Sequence, residues 1–193
     1  MVLKILDLKL DELLATKDLS SDIYQGIKKI KSFCSTGKIK MLDRISLELN
    51  IDRTQLLRGL DPEKGPRPPY ESVFLGLAPQ QVLVELAKAY GSANYGLGEG
   101  VTESPEQIGI QLSFMQNLCG KEALILENSG DQEEWKSILS VQKNFLNQHL
   151  GKWYSFYADE MLKFAKTEFY QGIALFLKGF VGNDIGYLAE ITL

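Results

Sequence analysis

One histidine, His149, and two cysteines, Cys34 and Cys119, are the side chains of this 193-residue sequence best suited to soft-metal or thiol chemistry. A structural zinc site takes four such ligands, and a cysteine nucleophile needs a base beside it. Three residues so far apart, with no CxxC pair, match neither pattern, and the cysteines are expected to be buried, reduced thiols. Glu103 and Glu106 stand at i, i+3, a spacing that can serve acid–base chemistry. They also flank a predicted helix start, where negative charge is favoured by the helix dipole, and this is sufficient to explain them. His149 has no glutamate three residues before it, so the di-iron helix motif is absent. Gly96, Gly98 and Gly100 lack the Gly-Lys-Ser/Thr ending of a phosphate loop and the strand–helix context of a dinucleotide fingerprint. They read as a flexible link. No catalytic residue, metal site or cofactor is therefore expected, and the function should be one of binding.

Bulk properties fit that expectation. Apolar content of 45% and charged content of 24% are ordinary for a water-soluble globular protein. No apolar run approaches the roughly 20 residues that span a bilayer. The leucines of residues 1–14 are interrupted by Asp7, Asp11 and Glu12, unlike a signal peptide, so a cytoplasmic location is expected. Net charge is −4 and uneven: residues 27–68 carry ten Lys+Arg against five Asp+Glu, whereas residues 69–193 carry eight against fifteen. The acidic C-terminal part disfavours nucleic acid there and suits a cationic partner.

The elements that must position any site are helical. Ser104-Pro105-Glu106-Gln107 combines an N-cap serine, a first-position proline and a capping-box glutamine. The stripe Ile108, Leu112, Met115 and Cys119 follows it at helical spacing. Asp131-Gln132-Glu133-Glu134 opens a second helix, with Trp135, Ile138, Leu139, Phe145, Leu146 and His149 along one face. After Gly151 the apolar residues from Trp153 to Phe176 recur at threes and fours, as expected of one long core helix. Pro79 to Tyr90 reads as a helix stopped at Gly91, followed by a Gly-rich link over 92–104. The first part gives helices near 3–15, 20–34, 38–49 and 52–60, with breaks at Ser20-Ser21, Gly37 and Asn50-Ile51. No strand alternation persists. The expected class is all-α, a single helical bundle-like architecture with a Pro-rich connector and a long C-terminal core helix. Its parts are an N-terminal helical part over 1–65, the connector over 66–78 and a C-terminal bundle over 79–193.

The break at Asn50-Ile51 supports an alternative function. Residues 42–60 resemble a helix-turn-helix whose second helix would offer Arg53, Thr54, Gln55 and Arg58 to a DNA major groove, within the basic stretch of the chain. Helix pairs with short turns are equally common in bundles, and the acidic remainder opposes approach to DNA.

The connector itself is the most distinctive string. Arg67-Pro68-Pro69-Tyr70-Glu71-Ser72-Val73-Phe74-Leu75 begins with two prolines, which exclude a helix at that point. The pattern Pro-Pro-aromatic-x-Ser-Val-aromatic resembles the connecting segment of the TorD/DmsD/NarJ family of molybdoenzyme-specific chaperones. Two further patches are similar to that family: Pro105-Glu106-Gln107 through Gln111-Leu112 to Phe114-Met115, and Phe145-x-x-x-His149-Leu150-x-x-Trp153. The resemblance covers about residues 66–180. It departs from the family where an Asp-His pair is replaced by Glu106-Gln107, and an acidic-Leu pair by Gln111-Leu112. The resemblance implies a cytoplasmic assembly protein that holds the leader or apo form of a molybdenum-containing oxidoreductase subunit until cofactor insertion and export. It also implies a monomer or a domain-swapped homo-oligomer. A leader with a cationic start and an apolar middle calls for carboxylates beside an aromatic groove. The client-binding residues expected on that basis are Tyr70, Glu71, Ser72, Phe74, Glu103, Glu106, Gln107 and Gln111, with His149 and Trp153 packed behind them in support.

Overall fold

A computed structural model describes residues 11–12, 14–15, 19–37, 42–59, 65–128 and 130–191. In chain order the described helices are α1 (Ser21–Gly37), α2 (Leu42–Arg58), α3 (Glu71–Leu75), α4 (Pro79–Ser92), α5 (Ile108–Asn128), α6 (Gln132–Gln148), a 3-10 turn (Leu150–Lys152), α7 (Tyr154–Phe164) and α8 (Glu168–Glu190). The class is all-α, as the sequence indicates, and the described residues contain no strand beyond an isolated bridge between Tyr70 and Gln107. Among them no helix is long and apolar enough to cross a membrane. The expected helix near 3–15 and the break after Gly37 lie largely outside the described residues.

The chain forms two compact units, each made of two segments. The first comprises Met1–Pro68 and Ser155–Asn183. In it Ile23, Ile27, Ile30 and Cys34 recur on one face of α1 and are buried against Phe169, Ile173 and Phe176 of α8. The two helices approach closely because glycines face each other: a Cβ on Gly172 would stand 2.6 Å from the Gly26 carbonyl oxygen.

Two expectations are corrected in this unit. Helix α2 runs unbroken through Asn50-Ile51, so there is no helix-turn-helix, and Arg53, Thr54 and Gln55 lie within a single helix. The Thr54 hydroxyl donates to the Asn50 carbonyl at 2.7 Å, and the Asn50 amide reaches Ser46 Oγ at 3.4 Å, so the polar residues that suggested a break bond along the helix. Asp52, read as the start of a second helix, is fully buried and caps a distant one. Its carboxylate accepts from the backbone N–H of Lys166 at 3.1 Å and of Thr167 at 2.9 Å, and from the Thr167 hydroxyl at 2.6 Å. This cap explains the second correction: the expected long helix after Gly151 is divided into α7 and α8, with the long element beginning only at Glu168.

The second unit comprises Pro69–Tyr154 and Asp184–Leu193. Helix α3 is a single turn after the prolines, ended by Gly76 at φ 65°, a conformation glycine adopts without strain. Helix α4 continues past Gly91 to Ser92. Helix α5 begins at Ile108, later than Pro105, because the preceding backbone bonds to the connector. Glu71 N–H donates to the Glu106 carbonyl at 3.3 Å and Ile108 N–H to the Pro69 carbonyl at 3.1 Å. The cap is accordingly Gln107, whose Oε1 accepts from Gly109 N–H at 2.6 Å. The buried face of α5 carries Ile108, Gln111, Phe114, Met115, Leu118 and Ile125. Cys119 falls beside that stripe and is exposed, contrary to expectation, while Cys34 is buried. The Asp131 cap of α6 is present as read, its Oδ1 accepting from the N–H groups of Glu133 and Glu134 at 2.9 and 3.0 Å.

Candidate functional site

The connector is held by a buried chain of polar contacts, and most of the residues singled out in the sequence belong to it. Glu71, at the first position of α3, is 1% exposed. Its Oε1 lies 3.0 Å from Nδ1 of His149, and its Oε2 accepts from the Gln111 amide. Gln111 Oε1 in turn accepts from the Trp153 indole N–H at 3.1 Å. A carboxylate can only accept, so Nδ1 carries the imidazole proton that Glu71 receives. The four groups come from α3, α5, the C-cap of α6 and the end of the 3-10 turn.

A second carboxylate completes the arrangement. Glu106 Oε2 accepts from the Ser72 backbone N–H at 2.9 Å, inside the first turn of α3. Phe74 packs on Trp153 with ring centroids 5.4 Å apart. The carboxylates of Glu71 and Glu106 are thus buried and already paired, as is Gln111. Tyr70, Phe74 and Gln107 are half-buried at the connector surface, and Glu103 is exposed on the preceding loop. The structure therefore brings Glu71, Ser72, Glu106, Gln111, His149 and Trp153 together as an interior network, with Phe74 packed against it. Tyr70 and Gln107 pair at its edge, and Glu103 lies outside it.

Beside the network lies an aromatic cluster absent from the expected site. Phe114 contacts Phe145 at 4.7 Å and Tyr90 at 4.8 Å, and Phe145 stands 5.3 Å from the His149 ring. The Tyr90 hydroxyl donates to the Pro105 carbonyl at 2.9 Å, and burial pushes its pKa well above the usual phenol value. Between α4 and α6 lies a groove of about 390 Å³, lined by Phe114, Phe145 and His149 together with Lys88, Ala89, Asn144 and Gln148. Phe145 falls on the apolar face read for its helix, and Phe114 beside the stripe of Ile108, Leu112 and Met115; the polar residues of the walls carried no signal, because on an isolated helix they look like solvent-facing positions. Among the described residues no group of three His, Cys, Asp or Glu side chains converges as a metal site would require.

A "Chaperone protein TorD" of Vibrio parahaemolyticus is 26% identical over 146 residues, covering 74% of this chain and 65% of the relative. The "Chaperone protein TorD" of Vibrio cholerae is 27% identical over 150 residues, covering 75% of this chain and 64% of the relative. The chain thus matches a little under two thirds of the length of these relatives. No solved structure matches it. The sequence profile of the nitrate reductase delta subunit family matches residues 16–158, a span that contains the connector, the buried network and the groove, and the chain belongs to that family.

Proposed function

We propose that this protein is a chaperone for the catalytic subunit of a molybdenum-containing oxidoreductase. In this reading it binds the twin-arginine leader or the apo form of its client in the cytoplasm and releases it after cofactor insertion. The observation that carries the reading is the connector. A five-residue helix is too short to be stable alone, yet α3 is fixed by Glu71, Glu106, Gln111 and His149, so that Tyr70 and Phe74 are presented in one geometry. Val73 and Leu77, 37% and 38% exposed, extend the apolar character of that surface. Membership of the family and similarity to the two Vibrio TorD chaperones support the same role.

The leader's two chemistries divide between two kinds of residue. Tyr70, Val73, Phe74 and Leu77 supply apolar contact, and Glu103 supplies an exposed carboxylate in a part of the chain whose charge balance is acidic. Glu71, Ser72, Glu106 and Gln111 act behind the surface by holding its shape. Calorimetric titration with twin-arginine leader peptides from the molybdoenzymes of the source genome tests this, each paired with a Lys-Lys control at two salt concentrations. Selective binding to one leader is expected; equal weak binding of all leaders and controls would remove the leader from the reading.

A further inference from the structure

Helices α5 and α6 leave a hollow of about 650 Å³ between them, lined by none of the residues of the connector network. One helix ends at Asn128 and the next begins at Gln132, so the two run antiparallel. Lys121, Leu124, Ile125 and Asn128 face the hollow from α5, and Glu134, Ser137, Ile138 and Val141 from α6. Each set has the i, i+3, i+4, i+7 spacing of one helix face. Lys121 and Val141 therefore stand at one end, Asn128 and Glu134 at the other, about 10 Å away along the helix. The lane between them is apolar, and Leu124 is 57% exposed, so it has apolar surface left to offer a ligand.

The end of α4 closes the Lys121 end of the hollow through Ser92, Ala93 and Asn94. There the chain turns with Asn94 at φ 51°, its N–H donating to the Gly91 carbonyl at 3.1 Å and Tyr95 N–H to the Tyr90 carbonyl at 2.9 Å. The Ala93 carbonyl accepts instead from Lys121 Nζ at 2.6 Å. An ammonium has three donors, so two remain after this bond. A helix C-terminus carries roughly half a negative charge, so the full charge of Lys121 leaves this end of the hollow positive. The amide of Asn94 brings further donors to it, and Glu134 makes the opposite end negative.

We propose that this hollow binds a small amphipathic acid, with one carboxylate on an apolar body about 10 Å long. The carboxylate accepts from Lys121 Nζ and the Asn94 amide, and the body lies along Leu124, Ile125, Ile138 and Val141. Glu134 restricts the ligand to a single anionic end, because a second carboxylate would meet its charge. The volume is in the range of small-ligand sites. Tyr70, Phe74 and Glu103 take no part in it, so the site is independent of client binding.

The experiment titrates the full isotope-labelled chain with octanoate and follows the backbone amide resonances. Octanol and octylamine match its chain length without the carboxylate, and suberate carries a carboxylate at both ends. Ser137→Trp fills the hollow from an exposed position, and Gln116→Trp adds the same bulk on an exposed part of α5 outside it. Lys121→Met removes the ammonium together with the partner of the Ala93 carbonyl. Glu134→Lys leaves that bond intact and keeps the test decisive if Lys121→Met does not fold.

Octanoate should bind saturably, with shifts confined to the facing parts of α5 and α6 and the end of α4. Octanol, octylamine and suberate should each bind about tenfold or more weakly. Lys121→Met and Ser137→Trp should weaken octanoate by a similar factor, Gln116→Trp should not, and Glu134→Lys should bring suberate to the affinity of octanoate. Equal binding of octanol and octanoate, octanoate binding indifferent to Ser137→Trp, or no saturable shift would each overturn the proposal. None of these outcomes bears on the client reading, which the leader titration tests separately.

Discussion

Glu71 Oε1 and His149 Nδ1 meet at 3.0 Å across 78 residues of sequence, joining the single-turn helix of the connector to the C-cap of α6. Both side chains are almost wholly buried, and Gln111 and Trp153 extend the contact on the far side of the carboxylate. Removing one member of such a pair strands the other in an apolar interior. Glu71→Ala and His149→Ala should each cost about 3 kcal/mol in urea unfolding. The double variant should cost far less than the sum, because the residue left behind is no longer an orphan. Additive losses would show that the two groups do not act as a unit.

Much of this network was legible as a set of residue types, since Glu71, Gln111, His149 and Trp153 all stand out in the sequence. Their orientation was not. Helix α3 is one turn long, so no apolar periodicity assigns Glu71 to a face, and an acidic residue beside exposed aromatics reads as surface. Asp52 failed in the opposite way: it was read as the first residue of a local helix over 52–60, whereas its partners lie 114 and 115 residues away. Such a partnership follows from tertiary packing, which one sequence does not display. The Asp131 cap, whose partners are two and three residues away, was legible for the same physical reason.

Asp52 gives a second prediction. Its carboxylate closes the gap between α7 and α8 by accepting two backbone N–H groups and one hydroxyl in a buried place. Asp52→Ala leaves those donors unsatisfied and should cost about 2 kcal/mol. Hydrogen exchange locates the effect: the amides of Lys166 and Thr167 should lose protection in the variant under conditions that leave α5 protected. Uniform loss across the chain, or none at 166–167, would refute the capping role.

Helix α8 carries an internal control for close packing. A methyl group at Gly172 would stand 2.6 Å from the Gly26 carbonyl oxygen and 2.7 Å from Ile30 Cγ1, whereas nothing lies within 4 Å of one at Gly186. Gly172→Ala should therefore destabilise the protein by about 1–3 kcal/mol. Gly186→Ala should be neutral or stabilising by about 0.5–1 kcal/mol, since alanine is the better helix former. Thermal unfolding of the two variants measures the contrast, and equal melting temperatures would contradict the glycine contact between α1 and α8.

Asp184 sets a pH dependence in the second unit. Burial and the neighbouring Glu122 carboxylate push its carboxyl from 3.8 up to about 6. Glu122 is itself held in place, accepting from the Gln142 amide at 2.8 Å and the Trp135 indole at 3.4 Å, with Tyr187 hydrogen-bonded to it from α8. A carboxyl whose folded pKa exceeds its unfolded value favours folding while it is protonated. That contribution is complete below about pH 4 and is lost as pH rises through about 6. A shift of about two pKa units corresponds to about 3 kcal/mol as an upper limit, and solvent screening at this half-buried site reduces it to about 1 kcal/mol. Asp184→Asn, which stays neutral at every pH, should be more stable than wild type by about 1 kcal/mol at pH 7.5 and equal to it near pH 4. Urea unfolding of both proteins at the two pH values, followed by tryptophan fluorescence because Trp135 bonds Glu122 directly, measures the difference. A gap between wild type and variant that is the same at both pH values would mean that the Asp184 proton plays no part in holding the end of α8.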